Sequence, residues 1–233
     1  MKKLLLSITV FLAFALNANA TLIELGEGSF TPAASVITFS EHAVGTVNPI
    51  YDFGTYTVSF DGYFIGGLGT PTINSNLALD AASPETFITT DGANPTSPVL
   101  SGTPQFSGSV AVLFSEDVAA VGLDGGYFDA IGGTTIEAYD GLGNTLGSIT
   151  NSELGIEFFG LGDDSGNAVI GGIQFYITGN EPAGYAIDNL TFAFDSGGYN
   201  PGTPIPEPST ILLLGVGLLG LVGYSRKRFS EKS

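Results

Sequence analysis

Between Ile23 and Phe194 the chain runs in short stretches of alternating apolar and polar residues, broken by Gly, Asn, Asp and Pro. A period of two predicts half-buried strands, and the frequent breakers predict tight turns rather than helices. In TYTVSF, Tyr56, Val58 and Phe60 share one face; Val110, Val112 and Phe114 do so in SVAVLF. Ile173, Phe175 and Ile177, and then Leu190, Phe192 and Phe194, repeat the pattern, and these twelve residues are the expected core. The runs on either side of Gly141-Leu142-Gly143-Asn144 read as a hairpin, because its loop residues tolerate positive φ. From Thr70 to Gln105 the pattern weakens, which predicts long loops with one or two strands around Leu77 and Phe87. Many short strands at this spacing suggest an all-β antiparallel β-sandwich over residues 21–196, with aromatic and β-branched side chains filling the space between two sheets.

Two stretches escape the alternation. The first is N-terminal: Lys2 and Lys3, then an apolar run from Leu4 to Leu16, then Ala18-Asn19-Ala20. This is the three-part pattern of a signal peptide, residues 1–20, with signal peptidase cutting between Ala20 and Thr21. A buried helix would need polar residues on one face and a capping signal, and the run has neither.

The second lies at the other end. Residues 197–209, rich in Gly and Pro, read as an extended spacer. Residues 210–225 read as a short transmembrane sorting helix, and 226–233 as a basic tail opening with Arg226, Lys227 and Arg228. The positive-inside rule puts that tail in the cytoplasm and the domain outside. The apolar span is shorter than the roughly 20 residues that usually cross a bilayer. Pro206-Glu207-Pro208 stands just before it. Tripeptide, apolar span and basic end, in this order at the chain terminus, resemble the PEP-CTERM sorting signal of Gram-negative bacteria. The resemblance implies recognition by the membrane protease exosortase and a cut near the tripeptide. It implies an inner-membrane-anchored intermediate with the domain in the periplasm, then delivery to the cell envelope or extracellular matrix. An anchor retained for life is the alternative, but it has no use for Pro-Glu-Pro at that boundary.

Charge narrows the partners. All six Lys and Arg lie at positions 2, 3, 226, 227, 228 and 232; of the 23 acids only Glu207 and Glu231 lie beyond residue 200. A domain with acids and no base except His42 repels phosphate backbones, which excludes nucleic acid as a partner class. Solvation or a divalent cation must accommodate its carboxylates, and Ca²⁺ is the ion that suits oxygen ligands. There is no cysteine, so neither disulfides nor thiolate chemistry is available.

One His, no Cys, no Lys in the domain, no G-x-S-x-G and no H-E-x-x-H remove the Ser/His/Asp, Cys/His, Ser/Lys and His-ligated zinc mechanisms. A carboxylate-pair glycoside hydrolase needs only two acids, but nothing in the sequence singles out a pair. The expectation is a protein that is not an enzyme. Asp163-Asp164-Ser165-Gly166-Asn167 lacks the Gly and Glu of an EF-hand loop and reads as a polar turn.

ITFSEHAVGTVNPIYDFGTYTVSF near the start and GYAIDNLTFAF near the end resemble the terminal strand regions of jelly-roll domains found in PEP-CTERM proteins and, more distantly, of carbohydrate-binding modules. That resemblance implies a structural Ca²⁺ held by Glu41, Asp188 and Asn189. The residues allow a second reading, in which Asp188-Asn189 bonds local backbone at a bulge or turn. For sugar stacking, Tyr63, Tyr127 and Tyr185 lie beside Gly-rich turns, although such tyrosines also close the ends of sandwich cores. The expected function is a sorted, exported binder of exopolysaccharide. A Ca²⁺-bridged, self-associating surface protein and a glycoside hydrolase are the alternatives.

Overall fold

The computed structural model describes residues 21–202. The signal segment 1–20 and the segment from 203 onward, including the Pro-Glu-Pro tripeptide, the apolar span and the basic tail, lie outside the described residues. The elements in chain order are β1 (Leu22–Glu24), a 3₁₀ turn (Glu27–Ser29), β2 (Ser35–Ile37), β3 (Ile50–Asp52), β4 (Thr57–Asp61), β5 (Thr86–Asp91) and β6 (Asn94–Gly102). They continue with β7 (Val110–Val118), β8 (Ala120–Phe128), β9 (Thr134–Tyr139), β10 (Thr145–Thr150), β11 (Gly155–Asp163), β12 (Ile170–Ile177) and β13 (Ala186–Ala193). Among the described residues no helix is long and apolar enough to cross a membrane.

The strands make two antiparallel sheets. The first has the order β1-β11-β8-β13-β6-β5, with β2 pairing β13 off that path; the second has the order β10-β9-β12-β7-β4-β3. After β6 every connection except the β9–β10 hairpin crosses from one sheet to the other. Apart from the pairs β3–β4, β5–β6 and β9–β10, neighbours within a sheet are therefore far apart in sequence, and no local pattern announces their pairing.

The core lies between the sheets, built from the residues that alternate. Val58, Phe60, Val110, Val112, Phe114, Ile173, Phe175, Leu190 and Phe192 are buried there, and Tyr56, Ile177 and Phe194 pack against its margin. Each fully buried large side chain contributes about 1.5–3 kcal/mol of transfer free energy, which is how a domain without disulfides or salt bridges holds together. Gly125 faces inward: a Cβ there would meet Phe175 Cε1 at 2.7 Å, so glycine lets the Phe159 and Phe175 rings close over β8.

Two expectations need correction. No strand forms around Leu77, which is a buried loop residue packed with Phe64 and Tyr139. Around Phe87 β5 forms as expected, and the second strand of the Thr70–Gln105 stretch is β6, disguised by Pro95 and Pro98. It meets β13 at a single registered pair, Leu100 with Ile187, so most of that flank has no ladder for a proline to interrupt. The spacer also begins later than residue 197. Gly198 accepts the Thr31 N–H at 3.0 Å, Asn200 N–H donates to Ser29 at 2.8 Å, and Tyr199 is buried against Leu25, Ala120 and Ala193. One aromatic ring with apolar surface to cover draws this segment onto the domain.

Candidate functional site

The fold concentrates polar side chains on the outer face of the first sheet. Leu123 and Gly125 of β8 point into the sandwich, and Asp124 between them points out. The register places Asp124 beside Phe158 of β11 on one side and Asp188 of β13 on the other. At this point β13 changes partners: Ile187 pairs with Leu100 of β6, while Leu190 pairs with Ile37 of β2. A bulge between Asp188 and Thr191 absorbs the change. Asn189 sits in it at φ +49°, a left-handed conformation that Asn tolerates better than most residues.

Asn189 serves both acids. Its backbone N–H donates to Asp188 Oδ1 at 2.7 Å, and its side-chain amide donates to Asp124 Oδ2 at 2.8 Å. Asn94, at the start of β6, donates its amide to Asp188 Oδ2 at 2.8 Å. Burial holds the Asp188 carboxyl above the usual carboxylate range and the charge of Asp124 adds to this, against the hydrogen bonds from Asn189, Asn94 and Ser97. Asp91, Asn94, Asp124 and Asp188 line a small half-open notch with Val99 and Ile156 as apolar walls. Tyr127, three residues beyond Asp124 on β8, is 54 % exposed, with Leu154 and Ile156 also exposed on the adjoining strand and its lead-in.

The residues implied as Ca²⁺ ligands are differently engaged. Glu41 Oε1 accepts the Thr38 N–H at 3.2 Å and the Thr38 hydroxyl at 3.0 Å. Asp188 and Asn189 make the local bonds of the bulge. Carboxylate oxygens turned toward N–H and O–H donors are not a converging set of lone pairs, and among the described residues no three acidic or imidazole side chains are grouped to hold a metal. These residues do not fit a Ca²⁺ cage in this arrangement. What Glu41 and Asp188 do share is Tyr51: burial, then Glu41, then Asp188 hold its hydroxyl well above the ordinary tyrosine range. That hydroxyl is buried without a hydrogen-bond partner. His42 lies edge-on to the same ring at 4.7 Å.

The three tyrosines separate. Tyr127 stands out from β8 of the first sheet, whereas Tyr63 follows β4 of the second and is half-buried. Tyr185 is 1 % exposed and donates its hydroxyl to the carbonyls of Phe175 and Gly108, at 2.7 and 2.8 Å. It closes the core and has no ring face for a sugar, which removes it from the expected set. Asp124 and Asn94 escape a reading of the sequence because the register that joins them to Asp188 spans strands up to 94 residues apart. The one signal present was Asp188-Asn189 itself, a pair suited to a bulge.

The chain matches the PEP-CTERM protein-sorting motif over residues 204–228. No curated protein matches it. The motif holds Pro206, Glu207 and Pro208 at its start and Arg226, Lys227 and Arg228 at its end. It marks an exported protein, processed by exosortase through a membrane-anchored sorting intermediate.

Proposed function

We propose, from the premise that the chain carries a PEP-CTERM protein-sorting motif, that its sandwich passes through the periplasm to the cell envelope or extracellular matrix and there binds exopolysaccharide without cleaving it. The observation that carries this reading is the notch lined by Asp124, Asp188 and Asn94, with the exposed Tyr127 following directly on Gly126 of its lining. An aromatic face covers the apolar face of a pyranose, and carboxylates and amides beside it bond the hydroxyls. With no Lys or Arg between residues 21 and 202, the surface favours neutral glycans over uronate-rich ones.

Binding suits this pair of acids better than hydrolysis does. Both Asp188 oxygens already accept N–H donors, and a nucleophile or general acid needs an oxygen free to reach the glycosidic bond. Retention of the purified protein on the host's own polysaccharide, with and without chelator, tests the reading. Loss of retention in Tyr127→Ala supports it; no retention of the wild type in either condition sinks it. Release of reducing ends from the glycan counts against the non-catalytic part.

A second reading is self-association into a surface layer, its acids bridged by Ca²⁺. It is favoured by the exposed Ile50 and Phe53 on and just after β3, the edge strand of the second sheet, and by Val44 and Val47 in the preceding segment that runs along β5 of the first. Sedimentation with and without Ca²⁺ separates the two, since only this reading expects a change of mass in the absence of sugar.

A further inference from the structure

The pairing of β1 with β11 sets Leu22 opposite Asp163, and the Asp164 N–H donates to the Thr21 carbonyl at 3.1 Å. Thr21 therefore extends the ladder opposite Asp164, at the mouth of the turn Asp163–Asn167. Asp163 is fully buried. Its Oδ2 accepts the N–H of Asn167 at 2.9 Å, the Asn167 amide at 3.1 Å and the N–H of Ser165 at 3.2 Å. Its Oδ1 is buried with no partner at all. An unpaired buried carboxylate oxygen is costly, and residues 21–202 contain no Lys or Arg that could reach it. Tyr199 donates its hydroxyl to the Asp163 carbonyl. That hydroxyl's pKa is pushed up to about 12 by burial and then by the charges of Asp163 and Asp164.

We propose that this locus is a binding site for the chain's own mature N-terminus: the α-ammonium of Thr21, created when the signal peptide is cut after Ala20, docks beside Asp163 and Asp164 and fastens β1 to β11. The inference rests on the export reading and on cleavage at that bond. Before the cut the Thr21 nitrogen is a neutral amide; afterwards it carries a unit charge and three donors. Adjacent antiparallel Cα atoms lie roughly 5 Å apart, so the Thr21 backbone runs beside the start of the turn that carries both acids, and an opposite charge close by favours the ionised form of an amine.

The titratable groups on the elements around Thr21 are carboxylates, which favour a charged amine, and the neutral phenol of Tyr199. Asp163 and Asp164 come from the end of β11 and its turn, and Tyr199 comes from the segment after β13. Glu24 lies on β1 itself, and Asp195 sits in the turn whose Ser196 packs on Gly166. The neighbouring β10 carries no titratable side chain. The amine pKa is therefore raised on folding. A base raised in this way adds stability that is complete below its unfolded value, about 7.7–8.0, and is lost as pH rises through the folded value.

The test uses the full chain expressed in an exporting host. N-terminal sequencing first locates the cut; a start elsewhere than Thr21 defeats the processing premise, and the inference with it, before any amine is titrated. With Thr21 terminal, the amine is reductively methylated with ¹³C-formaldehyde and titrated by NMR. Lysines retained in the tail titrate separately, near 10.4. The expected result is a pKa about one unit or more above the ordinary range, falling by half a unit or more in Asp164→Asn. Asp164 is half-buried and its Oδ1 accepts the neighbouring Ser165 hydroxyl, so Asp164→Asn is the milder variant; Asp163→Asn is the second probe. An ordinary pKa with both acids intact overturns the proposal, as does a raised one that neither substitution moves. One-to-one binding of Ca²⁺ that returns the amine to its ordinary value also overturns it, because the locus is then a metal site.

Discussion

Asp124 on β8 and Asp188 on β13 stand in register on adjacent strands, and a single residue, Asn189, donates one hydrogen bond to each of them. Like charges directly opposite on a sheet are destabilising, and no cationic side chain is available to relieve them. The bulge solves this with backbone geometry: at φ +49° the Asn189 N–H turns to one acid while its amide reaches the other.

Asn189→Ala should therefore destabilise the domain by about 1–3 kcal/mol, through the lost charge-assisted bond and the left-handed backbone. Urea unfolding near neutral pH measures it, and a loss below about 0.5 kcal/mol contradicts the role assigned to the amide.

The pH dependence of the wild type follows from three carboxyls held above the usual range, with burial the first cause in each: Asp188, Asp117 and Glu181. Asp140 and Glu116 add to the shift at Asp117, and Asp129 does so at Glu181. A carboxyl whose pKa is raised by folding adds stability that is complete below its unfolded value, about 4, and is lost as pH rises through the folded one. The urea midpoint should thus be higher at about pH 5 than at about pH 7.5, with added salt narrowing the gap. A midpoint that drops steadily over that interval on acidification would show that other groups govern the acid limb.

Tyrosine substitutions should split binding from stability. Tyr127→Ala removes an exposed ring and should leave the unfolding midpoint within about 0.5 kcal/mol of wild type while abolishing retention on polysaccharide. Tyr185→Phe should cost about 1–3 kcal/mol, because the carbonyls of Phe175 and Gly108 lose their buried donor, and should leave retention intact. Thermal melts and a polysaccharide pull-down on both variants check this; the reverse pattern places the ligand elsewhere.

Sorting should depend on the ends of the matched motif. Replacing Pro206, Glu207 and Pro208 together by Ala should leave the exported protein with its C-terminal segment attached, seen as a higher intact mass than the processed wild type. Replacing Arg226, Lys227 and Arg228 by Ala removes the basic cluster that ends the matched motif and should lower the processed fraction. Processed protein of wild-type mass and yield from the first variant argues against recognition of the tripeptide.

Sequence by itself determined what depends on near neighbours along the chain. Alternation at Val58 and Phe60 or Leu190 and Phe192 fixed which side chains face the core, because successive residues of a strand point to opposite faces. The ordered tripeptide, apolar span and basic end gave the sorting address in the same way, as contiguous chemistry read without a fold. Tertiary structure decided everything that needs two distant strands: that Asp124 faces Asp188, that Tyr185 closes the core while Tyr127 stands out, that Tyr199 is buried, and that Thr21 comes to rest opposite Asp164. The physical reason is that after β6 nearly all connections cross between sheets, so register is set by packing of the whole sandwich, and no short stretch of residues encodes it.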